Sequence, residues 1–119
     1  MSELYWIHRV KKFPNVSESE FEQKYNEVVM PMWVKLTGCK NVLLVKAVEL
    51  PWNPGSKSNE YDYLWITVWD SKEDHHKFIE KGGMNMSSMK TFMDQINELN
   101  LGELARSLGS VEIVASVRT

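Results

Sequence analysis

From Tyr61 to Trp69 the chain alternates between two apolar sets, Tyr61, Tyr63, Trp65, Thr67 and Trp69 on one and Leu64, Ile66 and Val68 on the other. A period of two is the signature of a β-strand. A strand wet on one side would alternate apolar with polar residues, so this one must be covered on both. Leu4–Val10 has the same character, with Tyr5, Ile7 and Arg9 against Leu4, Trp6, His8 and Val10. A sheet built on such strands cannot lay helices on one face and leave the other to water.

The rest of the chain supplies helices and two further strands. Ser17 and Glu20 have the spacing of a capping box, and Phe21, Tyr25, Val28, Met32 and Leu36 follow at helical intervals. Pro31 falls inside that pattern and removes a backbone donor, which predicts a kink or break near Val29–Met30, and Gly38 supplies the stop. A second strand is expected over Asn41–Leu50, then a loop through Pro51, Trp52, Asn53, Pro54 and Gly55, the segment expected to be most mobile. After the Trp69 strand, Ser71 caps a helix from Lys72 that ends at Gly82-Gly83. Met84–Leu99 is again helical, Gly102–Leu108 reads as a turn or short helix, and Val111–Val117 as a last strand.

The order β-α-β-β-α-(α)-β is α+β and matches the ferredoxin-like plan, an open antiparallel sheet with helices on one face. At 119 residues, 1–119 form one domain. The expected arrangement puts the aliphatic set of the third strand against the helices and the aromatic set on the bare face. A large bare apolar face marks an interface or ligand site, and two such sheets facing each other across a two-fold axis would cover it. A homodimer follows.

Charge and motifs restrict the function. A net charge of −2 leaves no basic stripe for phosphates, against nucleic-acid binding. No apolar run approaches the ~20 residues of a membrane span, and the first residues lack a secretory pattern. The single Cys39 has no partner for an internal disulfide, so the expected location is the cytoplasm and the thiol is expected to be packed and inert. No dinucleotide-binding, P-loop, nucleophile-elbow or paired-cysteine motif occurs, so no nucleotide or flavin cofactor is implied.

Trp65-Ile66-Thr67-Val68-Trp69-Asp70-Ser71-Lys72, leading into a short helix with His75 and His76, resembles the dimeric α/β-barrel superfamily, in particular its antibiotic-biosynthesis-monooxygenase-like branch. The resemblance implies a pairing of two sheets into a barrel. It also implies a range of activities: cofactor-independent oxygenation of polycyclic phenols, haem degradation, cyclisation or isomerisation of small acids, or none. Haem-degrading members carry an Asn on the first strand, where this chain has His8, and a Trp ending the third, here Trp69. The position of their ligating histidine falls on Ile79, so no haem ligand carries over.

His8 and Trp69 are therefore the candidate catalytic residues, with Trp6, Tyr63, Trp65, Thr67 and His75 as candidate substrate contacts. A mid-strand histidine is either a general base, since its ordinary pKa lies near neutrality, or a hydrogen-bonded core residue. The aromatic set either stacks a flat apolar ligand or fills a dimer core. His75 and His76 point about 100° apart on a helix, so only one can face inward, and no third ligand supports a metal. Met84, Met86, Met89 and Met93 are a helical core stripe or an adaptable pocket wall, and Glu112 and Arg118 are solvated charges or polar contacts. The two functional readings are a small-molecule enzyme, with a cofactor-independent monooxygenase as its sharpest form, and a non-catalytic dimer with a filled interior. A pocket of roughly 300 Å3 beside His8 separates them.

Overall fold

The structure is a computed structural model that describes residues 2–117. Four strands form one antiparallel sheet in the order β2-β3-β1-β4: β1 Leu4–Lys12, β2 Asn41–Lys46, β3 Tyr63–Trp69 and β4 Gly102–Glu112. This is the ferredoxin-like order, with the two doubly apolar strands at its centre. α1 (Glu18–Lys24) and α2 (Met30–Thr37) connect β1 to β2, and α3 (Lys72–Glu80) and α4 (Ser87–Leu99) connect β3 to β4. Both caps form as expected: Ser17 Oγ accepts from the Glu20 N–H, and Ser71 Oγ from the Asp74 N–H.

Pro31 does not break the first helix. Between α1 and α2 the backbone widens into a π-turn, Tyr25–Val29, in which Met30 N–H donates to the Tyr25 carbonyl, one residue farther back than in an α-helix. The turn inserts one residue and rotates everything after it. Phe21 and Trp33 would sit about 120° apart on an unbroken α-helix. With the insertion, Phe21, Tyr25, Val29 and Trp33 form one buried stripe. The expected stripe through Val28, Met32 and Leu36 is therefore corrected by one position beyond Tyr25, and those three side chains are half-buried.

β4 departs most from expectation. Gly102–Leu108 is strand, not helix, and the strand stops at Glu112, short of the expected Val117. Its pairing with β1 shifts twice, from Ile7↔Gly109 to His8↔Ser107 and then to Val10↔Leu104. Each shift places one extra residue on β4, a β-bulge. The bulges break the period of two and leave Leu101, Leu104 and Leu108 at helical spacing. β2 also ends early, at Lys46. The loop after it is tied together: the Glu49 carboxylate accepts from Gly55 N–H (2.6 Å) and Lys57 N–H (2.8 Å). Arg118 lies outside the described residues, and Glu112 Oε1 is 3.9 Å from the exposed Lys72 ammonium.

The core lies between the sheet and the helices, and a polar side-chain pair is buried in its middle. Trp33 Nε1 of α2 donates to Thr67 Oγ1 of β3 at 3.0 Å, with Thr67 fully buried. Thr67→Val keeps the shape but leaves a buried indole N–H unpaired. Urea unfolding should show a loss of about 1–3 kcal/mol.

Candidate functional site

The register decides which side chains can meet. Residues directly opposite in an antiparallel pair share a face, and Leu4, Trp6, His8 and Val10 stand opposite Trp69, Thr67, Trp65 and Tyr63. These eight residues make the helix-covered face. The expected assignment of faces is thus reversed: the aromatic set of β3 meets the helices, and the aliphatic set Leu64, Ile66 and Val68 lies on the bare one. The reason is complementarity. The first helical stripe is itself aromatic, so Phe21 stacks between Tyr25 and Tyr63 (4.4 and 4.6 Å between centroids), while Trp65 packs against Tyr25 and Trp33 (5.7 Å each).

This packing divides the candidate residues. Tyr63, Trp65 and Thr67 are built into the core: Tyr63 donates its hydroxyl to Glu22 Oε2 at 2.7 Å, and Thr67 is held by Trp33. They are not gathered around a ligand-sized opening. Trp6, His8, Trp69 and His75 are brought together instead. The Trp6 ring lies 4.5 Å from His8 and 5.1 Å from His75, both edge-on, and His75 lies 5.4 Å from Trp69. His75 is the inward-facing histidine of α3. His76 is exposed, with Nδ1 3.0 Å from Glu80 Oε1. Ile79, at the position of the haem-degraders' ligand, is 46 % exposed and offers no donor atom.

Three polar atoms of this ring cluster, His8 Nδ1, His75 Nε2 and Trp69 Nε1, are buried without a hydrogen-bond partner. Leaving a polar group in that state costs about 1–3 kcal/mol. Burial pushes the pKa of His8 below its ordinary value. Burial, and then the neighbouring His76, do the same for His75. Both imidazoles are therefore neutral at pH 7, and each can accept a proton, while the Trp69 indole can only donate one to a hydrogen bond. Buried Tyr25 is pushed up to about 12 and stays a neutral phenol. Burial raises the Cys39 thiol, so it lacks the thiolate character a nucleophile needs. Among the described residues no group of three or more His, Cys, Asp or Glu is placed to hold a metal ion.

The strand that borders His8 was missed in the sequence because of its bulges. Ser107, opposite His8, sits between the two register shifts, and Ser110 stands opposite Trp6. Bulges gather beside active sites, where they re-aim side chains. His8 lines none of the better-formed cavities and grooves. The expected pocket of roughly 300 Å3 beside His8 is not among them. The cavity that includes its neighbour Trp65 holds about 20 Å3. Of the methionines, Met89 is core, Met93 lines that cavity, and Met84 is exposed.

No protein-family model matches the chain, and no curated protein does. Solved structures match over nearly their whole length. An EthD-like protein from Ralstonia eutropha superposes with a TM-score of 0.63 at 14 % identity, covering 98 % of this chain and 96 % of its own. HapK from Hahella chejuensis gives 0.60 at 15 % identity, covering 98 % and 97 %. An ethyl tert-butyl ether D (EthD) family protein from Bacillus halodurans gives 0.54 at 14 %, covering 96 % and 100 %. The chain shares with them its fold, an α+β antiparallel sheet with helices on one face. At these identities the likeness is one of architecture, not of a shared reaction.

The two depressed imidazoles set a pH dependence. Their folded pKa values lie below the unfolded value of about 6.5, so the unfolded chain takes up protons first as pH falls. Stability should be flat above that value and decline below it. Urea unfolding at pH 7.5 and 5.5 should show the loss, and a His8→Phe, His75→Phe double variant should show less of it.

Proposed function

We propose that the chain is a small-molecule enzyme whose site is the Trp6–His8–His75–Trp69 cluster, with a flat, oxygen-bearing aromatic molecule as substrate. One observation carries the reading: three polar ring atoms on one contiguous set of aromatic side chains are buried and unpartnered. A hydroxyaromatic ligand would satisfy them, with Trp69 donating to a substrate oxygen and the neutral histidines accepting from a hydroxyl. The half-buried ring of Trp6 would supply stacking surface, worth roughly 0.5–1.5 kcal/mol per ring pair beyond burial.

The reaction we assign is cofactor-independent monooxygenation. His8 takes the hydroxyl proton, leaving an electron-rich anion. That anion transfers electrons to dioxygen as a carbon–oxygen bond forms, and the peroxide takes the proton back from His8. The oxidised carbon still carries one hydrogen. Loss of water then leaves a carbonyl, with one oxygen atom in the product and the other in water. Anthrone and the naphthols are suitable probes, followed by oxygen consumption. His8→Ala should lower kcat/KM by about 100-fold or more, and the wild-type rate should fall only below pH 6.5. Turnover equal to the buffer background, or unchanged in His8→Ala, overturns the assignment.

A homodimer belongs to the same reading. Tyr5, Ile7, Leu43, Val45, Leu64 and Ile66 share the face that carries no helix, with Leu43 and Val45 both more than a third exposed. A second copy would cover it, and residues 1–119 would act as one domain within that dimer. Ile66→Glu should convert the dimer to monomer in sedimentation velocity, while a wild-type protein monomeric at micromolar concentration would contradict it. The unpaired Cys39 supports a cytoplasmic location, and no helix among the described residues is long and apolar enough to cross a membrane.

His8 lines none of the better-formed cavities, which favours a second reading, a dimer without catalysis. In that case none of the probes binds, and His8→Phe raises stability because it removes an unsatisfied polar atom.

A further inference from the structure

Trp69 belongs to the ring cluster and also lines a groove of about 490 Å3, between the last turn of α2 and α3 where β3 ends. That volume lies within the range of roughly 300–1,000 Å3 that ligand sites occupy. The floor is apolar, with Trp69 and Phe78 buried and Leu36 half-buried. Trp69 is 2 % exposed and its indole N–H has no acceptor. A bound oxygen atom would meet a donor that nothing in the chain satisfies.

The rim is charged, and its charges do not cancel. Lys35, Lys77 and Lys81 line it together with Asp70 and Asp74. Lys77 Nζ is 3.9 Å from Asp74 Oδ1, and Asp70 Oδ1 is 3.7 Å from Lys40 Nζ. Each carboxylate therefore already faces an ammonium. Among the described residues neither Lys35 nor Lys81 has a carboxylate within 4.0 Å. Lys35 lies in the last turn of α2 and Lys81 is the C-cap of α3, and both are exposed. Helix carbonyls favour an ammonium at such an end without neutralising it. Two uncompensated cations thus flank an apolar floor that holds an unsatisfied donor.

We propose that this groove binds the acidic end of the substrate, which is a hydroxyaromatic acid. Lys35 and Lys81 hold the carboxylate at the rim, the ring lies over the apolar floor, and the hydroxyl end points toward Trp69 and the histidines. The hydroxyl's place rests on reading the ring cluster as the catalytic site, whereas the acid-binding rim does not.

Titration of the full chain with 6-hydroxy-2-naphthoic acid and with 2-naphthol, followed by the indole N–H signals in NMR, tests it. The signal missing from Trp69→Phe identifies Trp69. In the wild type that signal should shift with the acid, while the signal of Trp52, outside the groove, stays in place. The acid should bind roughly five- to tenfold tighter than 2-naphthol, the scale of two solvated ion pairs, and added salt should remove the advantage. A Lys35→Gln, Lys81→Gln double variant should bind the acid no tighter than 2-naphthol, with its affinity for 2-naphthol unchanged. Lys24→Gln, an exposed lysine of α1, should keep the preference. An acid that binds no tighter than 2-naphthol, or keeps its advantage in the double variant, or loses it equally in Lys24→Gln, overturns the proposal. His8→Ala separates this from the catalytic reading, since it should lower turnover and keep the lysine-dependent preference. A preference with no wild-type turnover would remove the catalytic role and leave the acid-binding groove standing.

Discussion

The structure hangs on an aromatic seam between β3 and the first helical pair, closed at its centre by the Trp33–Thr67 hydrogen bond. Phe21, Tyr25, Tyr63, Trp65 and Trp33 meet ring to ring across the layer boundary. Ring–ring contacts are directional, unlike aliphatic packing, so the seam sets the helix's rotation as well as its distance from the sheet. The π-turn is the adjustment that makes this rotation available. Without its extra residue Trp33 would face away from Thr67, and the bond at the middle of the core could not form.

That dependence explains what could be read in the chain and what could not. The element order, both serine caps and the two doubly apolar strands were legible because each is a local pattern: a capping spacing, a period of two, a run of β-branched and aromatic residues. The faces of β3 were not. Alternation says that Tyr63, Trp65, Thr67 and Trp69 share a side, and is silent on which side the helices choose. The deciding clue was the spacing of Phe21, Tyr25, Val29 and Trp33, which looks wrong for an α-helix and right for one carrying a π-turn. β4 was hidden for the same kind of reason, since two bulges erased its alternation.

The candidate site was partly legible. Four of the seven residues singled out, Trp6, His8, Trp69 and His75, converge, because β1 and β3 are paired in register and α3 starts where β3 ends. Tyr63, Trp65 and Thr67 share the same face on β3, opposite Val10, His8 and Trp6, but are buried under α1, the π-turn and α2. One face thus changes character from strand to strand: Tyr63, Trp65, Thr67 and Trp69 of β3 are buried, whereas Trp6 and His8 of β1, with His75 of α3, are half-buried.

The paired bulges of β4 have a consequence for how the chain could vary over time. Opposite β1, even-numbered residues of β4 face the helices at Leu104 and again at Ser110, but between the two shifts an odd-numbered one, Ser107, takes that place. Each bulge alone swaps the two sides of everything beyond it, and the second undoes the first. Loss of one bulge residue would carry Ser110 to the bare face and Val111 to the helix side, a change no single substitution could repair. Loss of both would leave the outer strand shorter yet correctly sided. Length changes in this strand should therefore be inherited in twos.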